Sequence, residues 1–354
     1  MVFWYDANGN TDYANTKARY PTPYYWSLFG GLMKRILIID GLNAFVRAYS
    51  ADPSVTPQQI PVGGVRGFLK ILQKMIRITG PDRVFIAWDG AGGSQKRKSM
   101  FKEYKQGRNP LTLNSNIAAN AEDELKNRIW QETRLVEYLN QLPVIQIMVE
   151  GVEADDIIGF LSKDTKFHQY QKVIISNDKD FIQLCDDRTI LYRPVKEQIL
   201  NIKTVLEEYN IHPYNFVLAR AICGDVSDNL PGVKGAGLPT IAKRFPMLRE
   251  EKEYALDDIL KICREKYHDQ KIYKAVVQEQ KKIKLNHRVM QLQYRLLPAD
   301  TKKQILLGMK GEECILNKPL FDRMAVADGL ADIDFKELFS CMEKIVLENC
   351  SKKK

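Results

Sequence analysis

The sequence contains no CxxC pair: its six cysteines, at 185, 223, 263, 314, 341 and 350, are scattered and have no histidine cluster to match them. Neither a zinc site nor a disulfide framework is indicated, and reduced thiols in a cytoplasm are the expectation. No run of eighteen or more apolar residues occurs, and the N-terminus lacks a basic-then-apolar pattern, so neither a membrane span nor a secretory leader is expected. Acids are outnumbered, 44 Asp and Glu against 53 Lys and Arg. The 354 residues carry a formal net charge of +9 and are 45% hydrophobic, which suits a soluble chain of two or three packed units whose basic surfaces face a polyanion.

The acids that are present are concentrated. An apolar run, Val144 to Val149, stops at Glu150-Gly-Val-Glu153-Ala-Asp155-Asp156, which opens the apolar helical stretch Ile157 to Leu161. At an effective dielectric of ~20 and a separation of ~5 Å, each like-charge pair costs roughly 3 kcal/mol, so such a knot calls for a cation. A solvated acidic first turn, favoured by the helix dipole, is the bland alternative. The other acids decide between them. Met33–Asp40, Arg83–Trp88 and Lys172–Asn177 read as buried parallel strands, and they deliver Asp40, Asp89 and the pair Asp178 and Asp180. Helix N-capping accounts for one or two of Asp40, Asp89, Glu153, Asp155, Asp156, Asp178 and Asp180; a divalent metal accounts for the set. Strands alternating with helices imply a doubly wound α/β sheet, with ligands beyond the carboxyl ends of its strands.

Between the strands, Gly41 to Tyr49 reads as a turn entering a helix, and Gly63-Gly64 opens a second helix with a stripe at Val65, Phe68, Leu69, Leu72 and Ile76. Residues 94 to 108 are basic with interleaved aromatics: Lys96, Arg97, Lys98, Phe101, Lys102, Tyr104, Lys105 and Arg108. After a polar stretch from 109 to 120, Glu122 to Leu142 is an amphipathic helix through Leu125, Ile129, Trp130, Leu135, Val136 and Leu139. A short β segment at Ile190 to Arg193 precedes a helical half. There, Phe216 to Cys223 ends at Gly224-Asp225-Val-Ser-Asp228-Asn, followed by Gly232-Val-Lys234-Gly235-Ala-Gly237 and a helix from Thr240 to Phe245. Glycines that let backbone N–H groups approach phosphate at a helix start make a sequence-independent DNA grip; an ordinary turn is the alternative. The basic runs Lys281 to Lys284 and Lys352 to Lys354 read as solvated faces. Residues 1 to 32, rich in Tyr, Trp, Asn and Pro without period, are expected to lie outside the core. They are either a packed arm or sequence upstream of a start at Met33, and the second is the reading taken.

In this order the motifs resemble the structure-specific 5′-nucleases: flap endonucleases, the 5′-nuclease domain of bacterial DNA polymerase I and phage 5′-exonucleases. The resemblance is carried by Ile39-Asp40-Gly41, Trp88-Asp89-Gly90, Gly151-Val-Glu153-Ala-Asp155-Asp156, Asp178-Lys-Asp180, Gly224-Asp225-Val-Ser-Asp228-Asn and Gly235-Ala-Gly237, and covers about 33 to 245. Asn286 to Leu297 and the closing helices are more faintly similar to the T-even phage ribonuclease H. Pro239 departs from the family, standing where a lysine belongs.

The resemblance implies a Rossmann-like (PIN-like) parallel-sheet core over 33–210 with a helical arch at about 94–142. A helix-hairpin-helix region over 211–285 and a C-terminal helical region over 286–354 would follow. It implies a phosphodiesterase giving 5′-phosphate products and using two Mg²⁺ ions, with Mn²⁺ able to substitute and K⁺ at the hairpin. Asp89, Glu153 and Asp155 would hold one ion with Asp40 in support. Asp178, Asp180, Asp225 and Asp228 would hold or orient the other, with Asp156 next to both groups. Lys105 and Arg97 would clamp the reacting phosphate, completing a catalytic set with Asp40, while Arg97, Lys98, Tyr104, Lys105, Arg108, Gly232, Lys234, Gly235 and Gly237 meet DNA. The implied substrates are DNA with a 5′ flap, nick or free 5′ end and RNA–DNA primers, in replication or repair. A monomer in a bacterial or phage-infected cytoplasm, working beside single-stranded-DNA-binding or replication proteins, is expected. Two rivals fit less well. An inactive junction-binding scaffold has no reason to keep nine carboxylates, and an RNA-directed sheet nuclease or strand-end phosphatase has no use for the hairpin.

Overall fold

The computed structural model describes residues 33–107, 121–266, 270–292, 297–310 and 315–350. The readings made for residues 1–32, for Arg108, for the 109–120 stretch and for the Lys352 to Lys354 run lie outside the described residues.

Four apolar, β-branched runs pair in parallel because both their faces are covered: β1 (Arg35–Asp40), β2 (Arg83–Trp88), β3 (Ile145–Met148) and β4 (Gln171–Ile175). β5 (Thr189–Arg193) joins them in parallel. β6 (Gln198–Leu200), which the sequence pattern does not announce, pairs antiparallel to β5 and makes the sheet mixed. The strand order is β3-β2-β1-β4-β5-β6. The chain thus builds outward from β1 through β2 to β3, then returns to the other side of β1 for β4, so the order reverses between β1 and β4. In open α/β sheets that reversal opens a crevice at the carboxyl ends of the two strands.

The helices are α1 (Gly41–Ala51), α2 (Gly63–Thr79), α3 (Gln95–Met100), α4 (Ala121–Leu139), α5 (Ala154–Lys163), α6 (Ile202–Tyr209), α7 (Pro213–Cys223) and α8 (Leu238–Arg244). α9 (Leu256–Glu265), α10 (Lys271–Gln278), α11 (Gln280–Met290), α12 (Ala299–Gly308), α13 (Lys318–Ala327) and α14 (Lys336–Cys350) complete the set. In α2 the expected stripe of Val65, Phe68, Leu69, Leu72 and Ile76 is buried, and the helix stops at Gly80, whose φ of 50° places it in the left-handed region. The stripe read in α4 divides instead. Leu135 and Leu139 are buried, whereas Leu125, Ile129 and Val136 are exposed.

Two cores flank the sheet. On one face Ile36, Ile38, Phe85 and Ile174 pack with Ile157 of α5 and Phe216 of α7, and the core continues through Ile241, Ile259, Val276, Ile283 and Ile305 of the later helices. On the other, Leu37, Ile39, Val84 and Ile86 meet α1, α2 and α4 together with Phe321, Phe339 and Ile345 of α13 and α14. Tyr138 of α4 meets the Phe321 ring edge-on at 5.0 Å and donates its hydroxyl to Asp328 at 2.7 Å. The closing helices are therefore built into the sheet's own cores, which fixes the site from both sides. Among the described residues no helix is long and apolar enough to cross a membrane.

Candidate metal centre and nucleic-acid interface

Asp40 closes β1 at the switch point. One of its oxygens accepts from the Asn43 N–H at 3.1 Å, capping α1, and the other from the Ser176 hydroxyl at 3.0 Å. Burial, with Asp89 and Asp178 nearby, raises its carboxyl to about 7. Asp178 caps the 3₁₀ turn Lys179–Leu184 by accepting from the Asp180 N–H at 2.8 Å. Capping therefore does describe Asp40 and Asp178, while Asp180 is the capped residue. Asp89 accepts from the Ala154 N–H at 2.8 Å and so ties the end of β2 to the first turn of α5. That approach requires glycine next in sequence, because a Cβ on Gly90 would lie 1.8 Å from the Val149 carbonyl oxygen. Asp155, raised well above the ordinary carboxylate range by burial and then by Asp178 and Asp40, belongs to the same field of charge.

Beside it lies a second cluster. Asp180, Asp225 and Asp228 each place a carboxylate oxygen within 4.8 Å of the others. Burial and Asp178 raise Asp180 to about 7 even though Arg220 pulls the other way. Arg220 of α7 reaches Asp180 at 3.1 Å and also bonds Asp225. Burial alone would raise Asp225, but the Ser227 hydroxyl and Arg220 outweigh it and hold its carboxyl below the usual range. The loop carrying Asp225 and Asp228 folds back through a bridge between Asp225 and Leu230. Asn229, at a φ of 59°, fastens it to the segment after α3 by donating to the carbonyls of Glu103, at 3.0 Å, and Gln106.

The basic segment reaches inward. Arg97, expected on the DNA-facing surface, is only 5% exposed. It bonds Glu153, both oxygens of Asp156 at 3.0 and 3.1 Å, and the Val289 carbonyl of α11 at 3.0 Å. Its donors point at the acids because two carboxylates at the start of α5 need a buried cation. Tyr104 is buried as well, its hydroxyl 3.5 Å from Glu153. Lys105 is partly exposed and bonds Glu153 at 2.6 Å. Burial alone would raise Glu153, but Arg97 and Lys105 outweigh it and hold its carboxyl below the usual range. Lys98 and Lys234 are exposed. In the hairpin, Gly235 faces open space and a Cβ on Gly237 would meet only the Pro239 ring at 3.8 Å, whereas Gly232 packs against the end of α7, where a Cβ would lie 1.8 Å from the Cys223 carbonyl oxygen.

Sequence reasoning passed over Arg220, Ser176 and Asn229. Arg220 had left a signal as the one charged side chain in the apolar run Phe216 to Cys223. Ser176 had none, since its partner lies on another element, and Asn229 stood only as the last residue of the Gly224–Asn229 motif, with no role read for it. A hard divalent cation fits this chemistry: the candidate ligand atoms are all carboxylate oxygens, those of Asp180, Asp225 and Asp228 lie within 4.8 Å of one another, and Asp40, Asp155 and Asp180 are disfavoured as anions chiefly by burial; among the described residues Asp89, Glu153 and Asp155 do not join a cluster of that tightness.

Residues 35–210 match the sequence profile of the 5′-3′ exonuclease, N-terminal resolvase-like domain. The flap endonuclease Xni of a Shewanella species is 33% identical over 61% of this chain and 76% of its own length. DNA polymerase I of Caldicellulosiruptor bescii is 32% identical over 66% of this chain, which spans only 27% of that much longer protein. Among solved structures, the bacteriophage T5 D15 flap endonuclease in complex with DNA and metal ions superposes with a TM-score of 0.57 at 17% identity, covering 88% of this chain and all of the other.

Proposed function

The chain belongs to the structure-specific 5′-nuclease family and is a 5′-nuclease dependent on divalent metal, and from that premise we propose which residues do the work and on what. The observation that carries the proposal is the convergence of Asp180, Asp225 and Asp228 beside the switch-point acids, with Lys105 at their edge. Two Mg²⁺ ions are assigned here, with Mn²⁺ as a substitute: one to Asp180, Asp225 and Asp228 with Asp178, the other to Asp89 and Asp155 with Asp40 and the neighbouring Glu153. Bound there, divalent ions supply charge for the attacking and leaving oxygens of a phosphodiester and lower the pKa of water.

The protein's own groups do the rest. Lys105 leaves its ion pair with Glu153 for a phosphate oxygen, so an ammonium meets the scissile group at the edge of the acids. Arg97 and Asp156 stay paired and hold α3 and α5 in register, a positioning role. Lys98, Lys234 and the open N–H groups around Gly235 and Gly237 meet the phosphates of the duplex, with Arg108 assigned to the same face from the sequence; K⁺ at the hairpin remains part of this proposal.

The substrates proposed are DNA ends with a 5′ flap, nick or free 5′ terminus and RNA–DNA primers, cut by a monomer in the cytoplasm during replication or repair. Product mapping on an end-labelled flap with Mg²⁺ tests the reading, with the double variant Asp225→Asn, Asp228→Asn as the comparison. Removing two negative charges near the phosphate while keeping the hairpin should abolish cleavage yet leave flap binding intact or tighter. Full activity in that variant at low Mg²⁺ would remove both acids from the metal set, and lost binding would make them supports of the loop.

A further inference from the structure

A further concentration of acids lies away from the metal centre. Asp186 and Asp187 come just before β5, whose parallel pairing with β4 puts its amino end opposite the carboxyl ends that lead to Asp40 and Asp178. Glu250, Glu251 and Glu253 follow the 3₁₀ turn Pro246–Arg249 and are exposed. The start of α7 holds this second stretch in place. Asn215, fully buried, donates to the carbonyls of Leu248, Glu250 and Lys252 at 3.1, 3.4 and 2.8 Å and accepts from the Tyr254 N–H at 2.9 Å. The cations close by are engaged. Arg188 turns to the Gln169 carbonyl at 3.3 Å, Arg249 bonds Asn210 at 2.5 Å, Lys252 lies over the Tyr254 ring at 4.9 Å, and Lys163 pairs with Asp186 at 2.5 Å. Among the described residues Asp187 and Glu251 have no cation paired with them.

Two side chains at the start of α7 sit among these acids. His212 is 2% exposed and caps the helix, its Nδ1 accepting from the Tyr214 N–H at 3.3 Å. Burial lowers the imidazole against the pull of Glu251 and Asp187, so the ring is neutral and carries its proton on Nε2. That donor is buried and has no acceptor. Tyr214 meets the His212 ring edge-on at 4.6 Å and is itself 37% exposed, with Asp186, Asp187 and Glu251 all near enough to act on its hydroxyl.

A half-exposed aromatic face ringed by carboxylates takes a guanidinium, which stacks on the ring and pairs with the acids, while nucleic acid is repelled. The buried N–H calls for an oxygen acceptor, and a peptide offers a carbonyl at every residue. We propose that this face docks an arginine-bearing segment of a partner protein. The eleven residues of α7 separate it by roughly 16 Å from the acids beyond Cys223, so partner and DNA can be held at once. The inference does not depend on which substrate the metal centre cuts.

Fluorescence anisotropy with a short labelled peptide of alternating Arg and Gly, and with its Lys counterpart of equal length, tests it. The parent should bind the Arg peptide about threefold more tightly than the Lys peptide, the scale of one exposed cation–π contact, and Tyr214→Leu should erase that preference. The double variant Asp187→Asn, Glu251→Gln should weaken the Arg peptide by a factor on the order of ten, the scale of two exposed ion pairs. Both of its positions are exposed, a thermal melt checks that its fold persists, and its flap cleavage should match the parent's. The crevice variant Asp225→Asn, Asp228→Asn should bind the peptide as the parent does. Equal affinity in the Asp187, Glu251 variant and the parent, or a loss in the crevice variant instead, would overturn the proposal, because the peptide would then be reading other acids. A dimer in sedimentation that the Asp187, Glu251 variant dissolves would also overturn it, making this face a contact between copies of the chain. A parent that binds the peptide in this way but cleaves nothing would strike the nuclease reading and leave the docking surface standing.

Discussion

Lys105 stands at a backbone φ of 55°, a region that costs a side-chain-bearing residue about 1–2 kcal/mol, and its ammonium is bonded to Glu153. Strain of this kind persists where the surroundings hold a residue for a purpose. Lys105→Ala is expected to slow single-turnover cleavage by a factor on the order of 10² to 10³, the scale of removing one electrophilic donor, with little change in flap affinity. Equal rates for variant and parent would take Lys105 out of the site. Arg97 should behave differently, because it is buried beneath Glu153 and Asp156 rather than turned to the substrate. Arg97→Ala leaves two carboxylates without their cation and should destabilise the fold by about 3–5 kcal/mol in denaturant titration. A stability loss well below that, with cleavage abolished, would return Arg97 to the role of phosphate clamp.

At the scale of elements, the loop from Asp225 to Leu230 and the segment after α3 act as one unit, since Asn229 bonds Glu103 and Gln106 and the Lys105 N–H donates to the Asp228 carbonyl at 3.2 Å. A single clasp thus places the acids of the second cluster and the ammonium of Lys105 together. The hairpin divides its glycines between two tasks. Gly232→Ala drives a methyl into the Cys223 carbonyl and should cost on the order of 1–3 kcal/mol, lowering Tm and flap affinity together. Gly235→Ala, at a φ of 81° in open space, strains the backbone locally and should weaken DNA binding with a smaller change in Tm. Calorimetry and a binding titration on both variants separate the tasks. A Gly232 variant that melts like the parent would contradict the packing role.

For the whole molecule, the contrast is between an acidic crevice and a chain of net charge +9. The basic surface should make flap affinity fall linearly with salt on logarithmic axes through counterion release, and a flat response would contradict it. The crevice should link metal to protons. Asp40 and Asp180 are raised in the fold from 3.8 to about 7, chiefly by burial. The stability this contributes is fully present below about pH 4 and is lost as pH rises through about 7, so without metal the protein should weaken over that window. A divalent cation binds the carboxylates and displaces their protons. Calorimetric titration with Mg²⁺ at pH 6 in buffers of different ionisation enthalpy should therefore show proton release, and at pH 8.5 almost none. Absence of release at pH 6 would mean that these two carboxyls are not ligands.

Much of this was legible in the chain itself, because strands, helix stripes and acid-ended runs are local patterns. Arg83–Trp88 is a strand with the bounds its composition suggests, α2 buries the stripe its spacing predicts, and every strand before β5 leads into an acid. Local pattern did not carry β6, whose three residues are a strand only by pairing with β5, or the exposure of Leu125, Ile129 and Val136, which depends on what does not cover them. Nor could it say which charges meet. Arg97 finds Glu153 across 56 residues and Arg220 finds Asp180 across 40, pairings that exist only once the sheet reverses between β1 and β4 and the later helices close over it. Residue type and period determined the elements and the acids that end them. Tertiary structure decided which acids are free to converge on a cation and which are already matched inside the protein, because burial and distance, not sequence order, set the energy of a charge.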